Sequence, residues 1–224
     1  MTPSQFVHTL QLMDSFFPVG AFAYSDGLET AAATGDVCDA QSLANWLDHY
    51  INAVFVPCDG LALFKCARAI RRSDWPTVRS IDEELTAIKP SAEVRASSIA
   101  VGRRLLGMYA SLRGGELRIF IEGLPRCNAP VAYGIALSHV GLKDGELMLA
   151  YGHSRITGII SSALRLIPIG QQQGQTLLAQ AVDNLPAAVE CVLGMETEPL
   201  RSFAPFMDIQ QMNHQYVYSR LFKS

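Results

Sequence analysis

The chain has 224 residues, of which 49% are hydrophobic and 17% are charged, and its formal net charge is −3. This length fits one large domain or two small ones and predicts a sizeable core. The low charged fraction indicates either a large core or an apolar surface that a partner covers.

The charges are distributed unevenly along the sequence. No Lys or Arg precedes Lys65, whereas seven acidic residues do. The first third therefore lacks the basic footprint of a nucleic-acid-binding protein. Residues 65 to 126 carry twelve basic residues against seven acids. They either bind an acidic partner or form ordinary solvated helix faces, and the second interpretation is favoured.

Membrane and secretion signals are not apparent. The first residues lack the basic region of a secretory signal, and no apolar run reaches the roughly 18 residues that span a bilayer. The odd number of scattered cysteines fits free thiols in a reducing compartment rather than a disulfide framework. We therefore expect a cytoplasmic protein without membrane contact. The cysteines are Cys38, Cys58, Cys66, Cys127 and Cys191.

Apolar residues recur at helical spacing along most of the chain. Asp39 stands where a helix N-cap is expected, the longest stripe begins after Ser91, and Pro90, Gly114 and Gly141 stand where helices end. The first five predicted helices have their apolar stripes over Phe6–Phe17, Leu43–Val54, Val78–Ile88, Val94–Leu112 and Val131–Ile135.

The stretch from Asp144 to Ile167 has apolar residues on every face, which predicts a buried helix. Its small residues Ser154, Gly158 and Ser162 are four apart, a spacing that lets another helix approach closely.

Two further helices are predicted over about 172–194, interrupted or restarted at Pro186, and over 206–216. Residues 117–121 alternate like a strand, but so short a strand cannot form a sheet alone. The sequence therefore predicts an all-α fold in one domain, residues 1–224, built as a bundle of about eight to ten helices.

Motifs for catalysis or tight metal binding are missing. A phosphate-binding loop needs a Lys after its last glycine, and none follows the Gly-rich segment 170–174. Neither the dinucleotide fingerprint nor a G-x-S-x-G elbow occurs. The histidines and cysteines lack chelating spacings. Asp82 to Glu84 is interpreted as a solvated helix face, and His153 in the predicted buried helix as a paired core residue rather than a ligand.

Three segments instead combine aromatic, glycine and hydrogen-bonding residues. Residues 16–29 are too irregular for one helix and predict a shaped loop for recognition. In residues 165–175, Pro168 ends one helix, Gly170 is a candidate left-handed residue, and four glutamines follow. This segment is either an ordinary interhelical turn or a recognition corner.

The last segment, residues 217–224, is an apolar and aromatic tail. Apart from Leu, its Tyr, Phe and Arg residues are types associated with interface hot spots. The tail either lies on a partner or folds back on its own domain.

Together these segments resemble the UreF family of urease accessory proteins. The shared patterns are P-V-G-x-[FY]-x-Y-S-x-G-L-E, R-L-[VI]-P-[LF]-G-Q-x-x-[GA]-Q and a terminal Y-S-R-L-F-[RK]-S. Asp26, Ile169 and Lys223 stand where Gln, Leu and Arg are usual, and Lys223 puts a particular salt bridge in question. The candidate partner-binding residues on these motifs are Pro18, Gly20, Tyr24, Ser25, Gly27, Leu28, Glu29, Arg165, Pro168, Gly170, Gln171, Gln175, Tyr218, Ser219, Arg220, Leu221 and Phe222.

The resemblance implies a non-catalytic, dimer-forming scaffold with no stably bound cofactor. It implies a complex with UreD (also called UreH), the GTPase UreG and apo-urease, in which nickel is inserted at the expense of GTP. Tyr218, Arg220, Leu221 and Phe222 are assigned to UreD. The other two segments are expected to shape the core and the faces used by UreG or the dimer mate. No arginine is singled out for an effect on GTP hydrolysis.

Two alternatives remain at this point. The first is a nickel chaperone that binds the metal itself through dispersed His and Cys residues. The second is an unrelated helical-bundle enzyme with a cofactor pocket, which needs a convergent polar cluster inside the bundle.

Overall fold

The computed structural model describes residues 1–114, 123–124 and 126–223. Within these residues every regular element is helical, which confirms the all-α prediction. The α-helices are α1 (Pro3–Met13), α2 (Leu28–Thr34), α3 (Ala40–His49), α4 (Gly60–Arg71), α5 (Trp75–Ile88), α6 (Ala92–Arg113), α7 (Ala129–Val140), α8 (Asp144–Leu166), α9 (Gln171–Leu193) and α10 (Pro205–Asn213). Short 3-10 turns cover Ala21–Ala23 and His214–Tyr216, and a π-helix covers Tyr50–Asp59.

Side-chain caps start several of these helices at the predicted positions. An Asp39 side-chain oxygen accepts a hydrogen bond from the Ser42 amide at 2.8 Å, and the Ser91 hydroxyl accepts one from Val94 at 3.3 Å. Each cap satisfies a backbone donor that the first helical turn leaves free. α7 ends at Gly141, as the sequence predicts, and Gly141 adopts the left-handed conformation.

The core forms where α4 packs against α7, and α8 against α9. Phe55 and Tyr151 lie at its centre with their rings stacked 6.4 Å apart. α8 and α9 pack closely at Gly152, where a Cβ would lie 2.8 Å from Leu185 Cδ1. Nothing lies within 4 Å of a Cβ at Gly158. A close helix contact is therefore present at Gly152 but not at Gly158 of the predicted Ser154–Gly158–Ser162 spacing.

The prediction that α8 is buried on every face is wrong. One face packs into the bundle, while His153, Thr157 and Gly158 are exposed. His153 is thus a surface residue and not a paired core histidine. The physical reason is that polar and small residues fall together on one side of this otherwise apolar helix.

The apolar stripe from Leu43 to Val54 runs over two types of helix. α3 ends at His49, and the following residues wind as a π-helix with Pro57 inside it. Proline has no amide to donate within a helix. The position after the π-helix accepts only glycine without a shift, because a Cβ on Gly60 would lie 2.7 Å from the Phe55 carbonyl oxygen.

Asp82 is fully buried, so the interpretation of residues 82–84 as a solvated face is wrong at this position. Its carboxylate accepts hydrogen bonds from the Cys127 amide at 2.6 Å and the Asn128 amide at 2.7 Å. These bonds hold the turn before α7, where Cys127 has a positive φ of 64°. Glu83 is exposed, as predicted.

Two further sequence expectations concern strands and membranes. The strand suggested for residues 117–121 lies outside the described residues. Across the described part of the chain, no helix combines the length and apolar character needed to cross a bilayer.

Candidate functional site

The shaped loop predicted for residues 16–29 is present, and left-handed backbone makes its bends. Gly20, Asp26 and Gly27 have φ values of 72°, 52° and 89°. Glycine adopts this conformation without steric cost, whereas Asp26 adopts it at some cost in energy. The loop then enters α2 at Leu28, and the Ser25 hydroxyl accepts a hydrogen bond from the Glu29 amide at 3.3 Å.

Glu29 joins this loop to the C-terminal tail. One carboxylate oxygen accepts the Leu221 amide at 2.5 Å, and the other accepts the Phe222 amide at 3.2 Å. The second oxygen also lies 2.7 Å from His214 Nε2. Glu29 is only 4% exposed and His214 is fully buried, so water has little access to this carboxylate.

Arg165 brings the second segment to the same place. Its guanidinium carbon lies 4.1 Å from the centre of the Phe22 ring and 4.2 Å from that of the Phe222 ring. This geometry is a double cation–π contact. Partial burial lowers the pKa of Arg165 below its ordinary value, although the Glu29 carboxylate opposes that shift.

The three motif segments therefore converge, but only in part. The Lys223 amide donates to the Ala23 carbonyl at 2.7 Å, which adds a backbone link between tail and loop. Gln171 and Gln175 lie instead in the exposed first turns of α9. Gly170 is not left-handed as predicted, because it caps α9 in an extended conformation with φ of −83°. Gln173 accepts its amide hydrogen at 3.1 Å.

The motif residues divide by exposure. Tyr24 is half-buried. The buried ones are Ser25, Gly27, Leu28, Glu29 and Phe222. The exposed ones are Pro18, Gly20, Arg165, Pro168, Gly170, Gln171, Gln175, Tyr218, Ser219, Arg220 and Leu221.

The tail itself shows two faces. Phe222 is 4% exposed and packs back on its own domain, which was one of the two sequence alternatives. Tyr218 is fully exposed and Leu221 is 68% exposed. Large apolar side chains directed at solvent leave a surface suited to a partner.

An apolar stripe on α10 extends this surface, and sequence reasoning did not assign it to docking. Phe206, Ile209 and Met212 are three residues apart and exposed, and Tyr216 continues the line. The opposite face of α10 is held to the domain, with Phe206 at the border in edge contact with Trp46, ring centres 5.8 Å apart. The three-residue spacing was the signal in the sequence.

Close packing explains how α10 is seated. A Cβ on Gly27 would lie 2.9 Å from Gln211 Cγ and 3.0 Å from the Gln211 amide nitrogen. Gln210, one residue earlier, donates from its side chain to Asp36 at 2.7 Å. The loop and α10 thus fit each other only because residue 27 lacks a side chain.

An open groove of about 530 Å³ lies between the loop and the exposed face of α8. Phe17, Pro18 and Phe22 line one side, and Ser154 and Gly158 line the other. The small residues noted in the sequence therefore border open space rather than another helix of this chain.

A half-buried ion pair borders this groove. Arg155 contacts Asp26 and donates to the Tyr50 hydroxyl at 3.3 Å. Burial lowers the pKa of Arg155, but Asp26 and Tyr50 raise it further, so the net shift is upward. Burial raises the pKa of Tyr50 to about 12. This pair also borders a small cavity of about 70 Å³ and joins the loop to α8.

Metal ligands are not grouped in the part of the chain that the structure describes. No three residues of the types His, Cys, Asp and Glu come together there as a metal site. Cys38 and Cys191 are exposed, whereas Cys58, Cys66 and Cys127 are buried. Burial raises the pKa of both Cys58 and Cys127 to about 12, which keeps their thiols protonated.

Comparison with known proteins gives consistent results over the whole chain. The UreF family model matches residues 37–182. A urease accessory protein UreF from Nostoc sp. (strain PCC 7120) is 30% identical over 100% of this chain and 98% of its own. The protein of that name from Microcystis aeruginosa is 32% identical over 96% of both chains. The one from Trichodesmium erythraeum is 34% identical over 95% of this chain and 94% of its own.

The family model alone covers more than half of the sequence, between the loop and the tail. The Nostoc relative extends the match across both of those segments, because it aligns with 100% of this chain. The chain belongs to the UreF family of urease accessory proteins.

Proposed function

We propose that this chain acts in urease maturation as a non-catalytic scaffold. It joins UreD/UreH and the GTPase UreG on apo-urease, where nickel is inserted with GTP hydrolysis. Family membership supports the role in maturation. The observation that carries the scaffold role is the convergence of loop, Arg165 and tail around Glu29, next to apolar side chains directed at solvent.

UreD docks on the tail and on the adjoining stripe of α10. Tyr218 and Leu221 supply exposed aromatic and aliphatic contacts, and Arg220 lies exposed between them. Phe206, Ile209 and Met212 continue the apolar surface. Aromatic and Arg residues at the centre of an interface commonly carry most of its binding energy.

UreG or a second copy of this chain uses the faces shaped by the other two segments. Their exposed members include Pro18 and Gly20 on the loop, and Gln171 and Gln175 on α9. The groove between the loop and α8 adds a concave surface beside these faces. UreG supplies the phosphate-binding site, because this sequence has no phosphate-binding loop of its own.

Nickel passes through the complex and is not held stably by this chain. A stable nickel site would need grouped His, Cys or carboxylate ligands. The proposed scaffold thus differs from the alternative function, a nickel chaperone that binds the metal itself with dispersed His and Cys residues.

Co-purification tests the scaffold role. The chain without its last seven residues, 218–224, is compared with the full chain after co-expression with UreD and UreG. We expect the truncation to lose UreD while its helical circular dichroism stays unchanged. Replacement of exposed Gln171 and Gln175 by Ala is the matched control, and it should retain UreD. Normal UreD recovery by the folded, truncated chain would refute the tail assignment.

A GTP-turnover assay tests the link to UreG. UreG is measured with UreD, with and without this chain, at equal protein concentrations. The scaffold proposal expects the chain to change turnover only when UreG is present and to hydrolyse no GTP by itself.

A further inference from the structure

We infer that the outer face of α6 is a basic docking surface for an acidic surface of UreG. This inference rests on the proposed function, in which UreG meets a face beside the loop of residues 16–29. It goes further by naming the helix, the sign of its charge and two arginines, Arg103 and Arg104, that recruit the GTPase.

The basic residues in the middle of the sequence divide by helix, and those near α4 and α5 have acidic neighbours. Arg68 of α4 lies 3.2 Å from a carboxylate oxygen of Asp144, and Arg72 lies 3.6 Å from one of Glu196. α5 mixes one Arg with three acids. Such mixed charges are typical of a solvated helix face.

α6 differs, because no acid follows Glu93 along it. From residue 94 to residue 114 the sequence has four arginines and neither Asp nor Glu. α7, which packs along α6, has no acidic residue either. A helix that carries one sign of charge creates a positive potential, which attracts carboxylates. The four arginines are Arg95, Arg103, Arg104 and Arg113.

The hydrogen bonds at the two ends of this row leave its charge in place. Arg95 donates to the Lys89 carbonyl at 2.6 Å, and Arg113 donates to the side-chain oxygen of Gln11 at 3.0 Å. Both acceptors are neutral, so neither bond cancels the positive charge. Arg103 and Arg104, in the middle of the row, are exposed.

The outer face of α6 is open to an approaching protein. Ala96 and Gly107 are exposed on the same side as Arg103, and nothing lies within 4 Å of a Cβ at Gly107. The opposite side, with Val101 and Leu105, is buried. Small side chains beside the arginines let a partner come close enough for its carboxylates to reach them.

Arg104 joins this surface to the loop. A Cβ on Gly20 would lie 2.5 Å from Arg104 Nη1, so the guanidinium lies directly over the glycine. The proposed function gives the face with Gly20 to UreG or to a second copy. A twofold self-contact sets a surface against its own copy, and arginines that face arginines repel. The charge therefore favours UreG as the occupant.

Binding of UreG to the complex of this chain with UreD tests the inference. Arg103→Glu and Arg104→Glu each reverse one exposed charge. Arg72→Glu is the matched control, because Arg72 is also exposed but lies outside α6. We expect each α6 variant to raise the Kd for UreG at least about tenfold, and the control to change it by less than about twofold. An unchanged Kd in both α6 variants would overturn the inference.

A charge-preserving variant and added salt separate the effect of charge from other effects. Arg104→Lys should stay within about threefold of the parent Kd, because it keeps the charge. Association of UreG with the parent complex should slow at least about tenfold as NaCl rises from about 0.05 to about 0.5 M, because salt screens exposed charges. Equal losses in Arg104→Lys and Arg104→Glu, or association that ignores salt, would contradict a charged docking surface.

UreD recovery distinguishes this inference from the proposed function. Arg103→Glu and Arg104→Glu should recover UreD normally and keep their helical circular dichroism. Normal UreG binding by both variants would overturn the inference and leave the proposed function standing. A parent complex that recruits no UreG would refute both.

Two other occupants of the basic face are outcomes of the same test. If the α6 variants changed only the sedimentation of the chain, the face would belong to a second copy. If they lost only retention on double-stranded DNA, it would belong to nucleic acid, although the exposed residues of α6 include no aromatic side chain to stack on a base. Either result, with UreG binding unchanged, would overturn the inference.

Discussion

Gly27 and Gln211 are in such close contact that residue 27 cannot carry a side chain without a shift of α10. A Cβ there would lie 2.9 Å from Gln211 Cγ, and the backbone φ is 89°. The contact joins the loop to the helix that carries the exposed apolar stripe. One added methyl group at residue 27 should therefore displace the exposed apolar stripe of α10.

Gly27→Ala tests this contact directly. We expect a loss of about 2–4 kcal/mol in unfolding free energy, from left-handed strain and overpacking together. Urea denaturation measures the loss. Gly35→Ala is the matched control, because Gly35 has φ of 83° but open space within 4 Å of its Cβ. It should lose only about 1–2 kcal/mol, the cost of the conformation. Equal losses in the two variants would show that the Gln211 contact contributes nothing.

Asp82 offers a second stability prediction. Asp82→Asn places an amide donor against the Cys127 and Asn128 amides, which leaves buried donors unpaired. We expect a loss of about 2–4 kcal/mol in unfolding free energy, because buried donors without acceptors are costly. Exposed Glu83→Gln should change it by less than about 0.5 kcal/mol. A similarly small effect of Asp82→Asn would refute the structural role of this carboxylate.

Sequence periodicity predicted most helices well, because their apolar stripes and caps are local signals. Asp39, Ser91 and Gly141 sit at the helix ends where they were expected. The burial of Asp82 was missed because its partners, Cys127 and Asn128, are 45 and 46 residues away. Local composition around residues 82–84 carries no sign of such a contact.

The candidate site was found through its motifs, but its arrangement was not. Nothing local to Glu29, Arg165 or Phe222 shows that they meet, since the chain must fold before they do. The outward stripe of α10 was readable from its three-residue spacing. It was overlooked because an apolar stripe is normally interpreted as a core face.

Thiol labelling tests the burial of the cysteines. We expect two of the five thiols, Cys38 and Cys191, to react rapidly with a disulfide reagent in the native chain. Cys58, Cys66 and Cys127 should react only after unfolding, because burial raises their pKa and blocks access. Mass spectrometry of the labelled peptides identifies the sites. Rapid labelling of Cys58 in folded protein would contradict its core position.

The Lys89–Asp59 pair predicts a response to alkaline pH. Burial lowers the pKa of Lys89, but Asp59, 2.7 Å away, raises it further, so the net shift is upward. The pair therefore stabilises the fold fully below the ordinary lysine pKa and loses this effect as pH rises through the raised value. This loss begins only above the ordinary lysine pKa of about 10.4, so Lys89→Met should remove the loss of stability measured by thermal unfolding between about pH 10 and pH 12. An unchanged pH profile would contradict the assignment.

The outward stripe of α10 yields a prediction for partner binding. Ile209→Asp places a charge on the exposed apolar face without touching the buried face that carries Gln210 and Gln211. We expect UreD affinity to fall at least about tenfold, because a buried unpaired charge at an interface is costly. The free energy of unfolding should stay within about 0.5 kcal/mol of that of the parent chain. Unchanged UreD affinity in Ile209→Asp would place the interface elsewhere.

Activation of apo-urease by purified components tests the central claim most directly. Apo-urease, UreD, UreG, GTP and nickel are combined with the full chain, with the chain lacking residues 218–224, or with neither. The scaffold account predicts rapid activation only with the full chain, although the truncated chain remains folded. Equal activation by the truncated chain, or activation by the full chain without UreG, would contradict it.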